Sequence, residues 1–408
     1  MVLQVTVPPD LMGGGVDEGY GKVADAFRAN LASGNEVGAA VAVYRDGVKV
    51  VDLWGGYRDG LTKDPWRADT MVNMFSSTKG VSALVMAAAV SRGLLSYDAR
   101  VADYWPEFAQ AGKGEVTVRQ LLDHQAGLPV VWPLPGLRDV ADPDRLAPML
   151  AAQAPAWSPG TRHGYHAIAL GWYQSELLRR VTGRTVGRYL AEEIAGPLGV
   201  DLHIGLPKTV GRDRVATLHH WKRSETVRHL NEMPLGFLML ALSPFGLTAR
   251  STAAPRDVDV FTGGYNRDDV RAVEIPSANG IGTARAVAQL YGDAATGGAA
   301  LGLTDDTVEA LCAPAVEPSG SVRDKVLNID TAFSLGMSKP LEKFVFGSSG
   351  RAFGTPGFGG SFGFADPDTG VGFSYVMNRI GFHLLSDPRE LALRQALFRD
   401  VLGVRPQR

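Results

Sequence analysis

The tetrapeptide Ser76-Ser77-Thr78-Lys79 is the first place where residue types and spacing suit a chemical step. On a helix, positions three apart share a face, so the Lys79 amine falls beside the Ser76 hydroxyl. A serine is a weak nucleophile until a neighbour takes its proton. A lysine held in a dry site has a lowered pKa and can take it. A helix N-terminus adds partial positive charge and free N–H groups for a developing oxyanion. Alone, an S-x-x-K is more often an N-cap serine followed by a solvated lysine. Here a mostly apolar run, Val81 to Val90, follows it, which embeds Lys79. A buried lysine needs a reason.

Tyr165-His166-Ala167 comes next, between the turn Trp157-Ser158-Pro159-Gly160-Thr161 and a helical pattern. A tyrosine at such a junction can aim its phenol into a cleft. Beside a lysine, phenolate is favoured and can serve as base and then acid. A third run, Thr355-Pro356-Gly357-Phe358-Gly359-Gly360-Ser361-Phe362-Gly363, is rich in glycine. Such a backbone can approach a nucleophile closely and offer an N–H to an oxyanion. The same run spells G-x-S-x-G around Ser361. A nucleophile elbow needs a strand, a turn and a helix, whereas another strand pattern follows Ser361. Among the histidines, His124 is expected to hold a loop, and His163 and His166 lie near the tyrosine. His219-His220 lack the carboxylate spacing of a metal site, and no metal or other cofactor is expected. Trp132, Trp157 and Phe358 are candidate pocket walls. Gly357, Gly359, His166 and Trp132 are the expected substrate contacts.

The elements that must position these residues are readable in outline. Residues 1–18, with Pro8, Pro9 and Gly13-Gly14-Gly15, read as an irregular lead-in. Val23, Phe27 and Leu31 give a helix over 20–33 one apolar face. Val37 to Tyr44 and Val48 to Tyr57 form a hairpin about Arg45-Asp46-Gly47. Helices are predicted over 76–92, 118–122, 167–181, 186–194 and from 283 onward. The stretch 208–265 has weak periodicity and reads as loops over a pocket. Strand patterns return at 332–337, 351–364 and 371–378, and Asp387-Pro388 caps a terminal helix. Strands near both ends with helices between them give an α+β fold. It has one antiparallel sheet built from both termini, flanked by helices, plus an inserted mainly helical domain. The expected division is 1–75 with 276–408 around an insert of 76–275.

Composition narrows the function classes. The chain has 408 residues, 45% hydrophobic and 21% charged, which is ordinary for a globular protein. Forty-one Lys+Arg against 43 Asp+Glu leave a net charge of −2, so nothing argues for nucleic acid. One cysteine, Cys312, excludes an internal disulfide and reads as a small core residue. No segment reaches the roughly 20 apolar residues of a membrane span, and the N-terminus lacks the pattern of a signal peptide. A cytoplasmic protein without a membrane partner is the expectation.

Together, in order and spacing, these elements resemble the serine β-lactamase/DD-peptidase superfamily. They are most similar to its family VIII carboxylesterases, which are like class C β-lactamases. The resemblance rests on Phe75 to Lys79, Val118 to Pro129, Tyr165-His166-Ala167, Ser277-Ala278-Asn279-Gly280 and the glycine-rich run. It implies a β-lactamase-like fold and an acylated Ser76, with Lys79 as base and Tyr165 relaying protons. It also implies oxyanion donors at the N–H groups of Ser76 and Phe358. Two positions depart from the lactamase and peptidase pattern. Ala167 stands where an asparagine amide grips the substrate, and Thr355 stands where a lysine or histidine holds a carboxylate. Each charge-assisted bond contributes roughly 1.5–3 kcal/mol, so their loss favours neutral esters. The expectation is a serine carboxylesterase for short- to medium-chain esters, with acyl transfer as a variant. The alternatives are a β-lactamase or DD-peptidase, or a non-catalytic binding protein of the same fold.

Overall fold

The computed structural model describes residues 5–221, 243, 245–253 and 255–404. The chain opens with strand β1 (Met12–Val16), helix α1 (Gly21–Ala32) and the hairpin β2 (Gly38–Arg45) and β3 (Val48–Asp59). Asp46 and Gly47 take φ values of 49° and 79°, the left-handed pair that a two-residue hairpin turn requires. Strand β4 (Val72–Asn73) leads into helix α2 (Ser77–Ser91), whose residues Ser77 through Ala89 are all buried. Gly93, at φ 71°, ends that helix. Helices α3 (Val118–Leu122) and α4 (Ala169–Thr182) follow among shorter helical turns. Strands β5 (Leu202–Ile204) and β6 (Gly280–Gly282) and helix α5 (Ala284–Ala295) come next. The chain closes with β7 (Phe333–Ser334), β8 (Met337–Ser338), β9 (Phe353–Pro356), β10 (Phe362–Asp366), β11 (Val371–Met377) and helix α6 (Pro388–Gln395).

The main sheet is antiparallel, in the order β1-β3-β2-β11-β10-β9-β8-β7, with Asp64–Pro65 added beside β3. Its middle joins the two ends of the chain: Ala39 pairs with Met377 and Arg45 with Val371. A small sheet, β4-β6-β5, lies apart from it. Helix α5 presses on β11 so closely that a Cβ on Gly372 would overlap the Gly292 backbone. Helix α2 crosses beneath β9, which brings its N-terminus to the turn between β9 and β10.

The structure corrects several expectations. The lead-in is not irregular, because Met12–Val16 pairs with Val51–Gly55. Its glycines serve close approach: a Cβ on Gly13 would lie 2.7 Å from the Trp54 ring nitrogen, and one on Gly14 would overlap the Asp52 carbonyl. The single strand expected over 332–337 is a tight hairpin about Leu335 and Gly336, with φ values of 51° and 90°. The stretch 351–364 is two strands split by the turn at 357–361. In the loop region expected over 208–265, residues 222–242, 244 and 254 lie outside the described residues, and Leu247–Thr252 is helical. Asp387 caps α6 as expected, accepting the Arg389 N–H at 3.0 Å.

Candidate active site

Ser76 stands at the head of α2, half-buried. The residue before it, Phe75, takes φ 45°, a left-handed conformation that is unfavourable for a bulky side chain. The Phe75 ring is wedged edge-on against Tyr265 at 5.4 Å and Phe358 at 5.5 Å, and this packing holds the strained backbone in place. The kink turns the chain sharply from β4 into the helix. No partner among the described residues takes the Ser76 N–H.

Lys79 is buried one turn along, with Nζ 3.0 Å from Ser76 Oγ. The same nitrogen is 2.6 Å from the Ala167 carbonyl and 2.9 Å from the Ser277 carbonyl. Burial holds the Lys79 pKa well below the ordinary lysine value, and no carboxylate compensates. A neutral amine has two N–H groups and one lone pair. The two carbonyls take both N–H groups, which leaves the lone pair facing the serine hydroxyl. Ala167 thus contributes through its backbone where its methyl side chain has nothing to offer.

The Ser277 carbonyl is held in turn by a set of contacts along one face of α2. Ser82 Oγ donates to the Pro276 carbonyl at 2.7 Å, and Thr78 Oγ1 accepts the Gly280 N–H at 2.8 Å. Asn279 ties its own loop, accepting the Ile275 N–H and donating to the carbonyls of Val270 and Val273. The Asn279 amide is therefore structural.

Tyr165 donates its hydroxyl proton to Ser76 Oγ at 2.9 Å. Two segments running in opposite directions position it. Gly164 N–H donates to the His124 carbonyl, Gly160 N–H to the Gln125 carbonyl and Ala156 N–H to the Gly127 carbonyl. Trp157 packs under Gly164 and donates from its ring to the Arg162 carbonyl at 3.1 Å. Phe333 stacks on the Tyr165 ring at 5.8 Å, and the His124 ring meets both aromatics. Burial raises the Tyr165 pKa above the usual phenol value, and the Ser76 hydrogen bond only partly offsets it. The resting group is the neutral phenol, not the phenolate expected from its lysine neighbour, because burial penalises the charged form.

His166 is not a substrate contact. It is fully buried, its Nδ1 donates to the Gly164 carbonyl at 2.7 Å, and its Nε2 accepts the Leu128 N–H at 3.1 Å. Its backbone N–H donates to His124 Nδ1 at 3.0 Å. Burial drives its pKa down to about 3, so it stays neutral as a loop brace. His124 has the loop-holding part expected of it. Trp132 is 59% exposed, with the Arg250 guanidinium 5.0 Å over its ring, and no described contact joins it to Ser76, Lys79 or Tyr165.

The β9–β10 turn lies against the head of α2. A Cβ on Gly357 would overlap the Met74 carbonyl and the Ser361 hydroxyl, and would lie 2.8 Å from Ser77 Oγ. Ser361 is buried; it donates to the Met74 carbonyl at 2.8 Å and shares a 3.1 Å hydrogen bond with Ser77. It joins the two elements and stands on a strand-to-strand turn, so the elbow reading fails on geometry. Phe358 is half-buried, with Phe75 on one side and Trp221 on the other. The Thr355 side chain is buried beside Gly80 and the Tyr291 hydroxyl, and it is uncharged.

Sequence reasoning missed the Ala167 and Ser277 carbonyls and the Phe333 stack. Carbonyls belong to every residue and leave no trace in residue type. Phe333 is one aromatic in a strand pattern.

The chain matches the Beta-lactamase family over residues 23–397. It is 35% identical over 373 residues to the esterase/beta-lactamase LipL of Mycobacterium tuberculosis, which spans 90% of this chain and 83% of that protein. A family VIII carboxylesterase structure superposes with a TM-score of 0.82 at 36% identity, covering 94% of this chain and 98% of the other. A penicillin-binding protein homologue from Caulobacter crescentus superposes with a TM-score of 0.81 at 38% identity, covering 94% and 98%.

Proposed function

The chain belongs to the Beta-lactamase family and is a serine hydrolase, and from that premise we propose that it cleaves short- to medium-chain carboxylic esters through an acyl-Ser76 intermediate. The observation that carries the reading is the Lys79 amine, 3.0 Å from Ser76 Oγ with both its N–H groups engaged by carbonyls. Ser76 Oγ attacks the ester carbonyl as its proton passes to the Lys79 lone pair. The oxyanion settles on the N–H groups of Ser76 and Phe358. Collapse expels the alcohol, which takes a proton from the Tyr165 phenol, and the Lys79 ammonium restores that proton. Water then attacks the acyl group, giving up its proton along the same path in reverse. An alcohol in place of water gives acyl transfer.

Neutral esters suit the cleft better than β-lactams or D-alanyl peptides. Thr355 supplies no cation for a carboxylate, and the Ala167 side chain no hydrogen bond for an amide. The names of the relatives, an esterase/beta-lactamase and a penicillin-binding protein homologue, keep β-lactam or peptide cleavage as the second reading.

Steady-state assays with p-nitrophenyl acetate, p-nitrophenyl butyrate and nitrocefin separate the readings. Ester turnover should exceed nitrocefin cleavage, and Ser76→Ala should lose ester turnover by about 1,000-fold or more. A phosphonate ester should add its mass to the peptide bearing Ser76. Nitrocefin as the better substrate reverses the order of the two readings. Undiminished ester turnover in Ser76→Ala removes both.

A further inference from the structure

A buried ion cluster lies against the β9–β10 turn. Arg389, near the start of α6, is 6% exposed, Asp387 is 4% exposed and Glu36 is fully buried. The guanidinium has no idle donor. Nε and Nη2 fork onto Asp387 at 2.8 and 2.9 Å. Nη1 takes Glu36 Oε2 at 3.2 Å and the Arg379 carbonyl at 2.9 Å. The remaining Nη2 hydrogen goes to the Gly359 carbonyl at 2.7 Å. Tyr375 closes the cluster by donating to Glu36. Such a cluster gains little over well-packed apolar residues in net stability, so its presence asks for another use.

The hydrogen bonds of the turn supply one. The Gly359 carbonyl and the Gly360 N–H belong to one peptide unit, and in a trans peptide they point opposite ways. Gly360 N–H donates to the Gly357 carbonyl at 3.2 Å. That carbonyl shares its peptide unit with the Phe358 N–H, which therefore points away from Gly360. A single chain runs from the guanidinium through two peptide units to the Phe358 N–H. We propose that Arg389 is a positioning residue for the oxyanion site, aiming the Phe358 N–H and, as a cation at the head of the chain, strengthening it as a donor. Glycines make room for the arrangement. A Cβ on Gly360 would lie 2.8 Å from Asp387 Oδ2, and one on Gly381 would overlap that same oxygen. Gly381 N–H adds a second bond to the Gly359 carbonyl at 2.8 Å.

The inference rests on Phe358 as the second oxyanion donor, and its test is read per functional site. Active serine is first titrated with a phosphonate p-nitrophenyl ester. Wild type that is not labelled at Ser76 removes the parent reading before any variant is made. In Arg389→Lys and Arg389→Met, kcat per titrated serine should fall about tenfold or more, with KM within about twofold. Affinity for an alkyl boronic acid, which forms a tetrahedral adduct on serine, should fall by the same factor as kcat/KM. If Arg389 only holds the fold together, the titre and the melting temperature drop while kcat per titrated site and boronate affinity keep their wild-type values, and the inference is overturned. Should neither variant fold, Glu36→Gln decides. It leaves the guanidinium in place with one restraint weakened, and a fall of about threefold in kcat per site is expected. An unchanged value there overturns the inference equally.

Discussion

Lys79 must be uncharged to accept the Ser76 proton, and burial among carbonyls rather than carboxylates favours that form. Its pKa lies well below that of a solvated lysine, so protonation begins only as the pH falls through that lowered value. The acid limb of kcat/KM should therefore lie well below the ordinary lysine range, with activity sustained on the alkaline side of it. Lys79→Arg should lose at least about 100-fold across the whole accessible pH range, because a guanidinium does not give up its proton. A pH–rate profile of both proteins checks this, and a Lys79→Arg enzyme that recovers at high pH would refute the neutral-base reading. These side chains were legible because type and spacing carry them: Ser76 and Lys79 on one face of a helix, Tyr165 at a loop-to-helix junction. The carbonyls of Ala167 and Ser277 were not legible, since only folding decides which backbone oxygens meet.

At the scale of elements, α2 and the β9–β10 turn form one unit, joined at Gly357, Ser361 and Ser77. Gly357→Ala forces a methyl into that seam and lifts the turn from the helix. The expected cost is about 1–3 kcal/mol of stability from overpacking, together with a fall of about 100-fold in kcat. Urea denaturation and ester kinetics measure the two separately, and full activity in the variant would show that the seam does not set the geometry of Ser76. The hairpin, the buried helix after Ser76 and the antiparallel sheet followed from periodicity and turn residues. Strand β1 did not, because three glycines in a row carry the composition of a coil. The Trp54 ring at Gly13 and the Asp52 carbonyl at Gly14, both placed by the partner strand, make glycine the residue that fits.

On the scale of the whole molecule, the centre of the main sheet pairs residues 39–45 with 371–377, so neither end of the chain can complete it alone. We propose that the division made from sequence, 1–75 with 276–408 around 76–275, describes two bodies that meet at Lys79. The Ala167 carbonyl would then come from the insert and the Ser277 carbonyl from the surrounding body. The proton acceptor of the enzyme thereby doubles as a gauge of alignment: a slip of about an ångström between the bodies unplugs the amine. Ester turnover should accordingly vanish at urea concentrations where tryptophan emission and far-ultraviolet dichroism are still native. Loss of all three signals along a single curve would mean that the two bodies come apart only by melting.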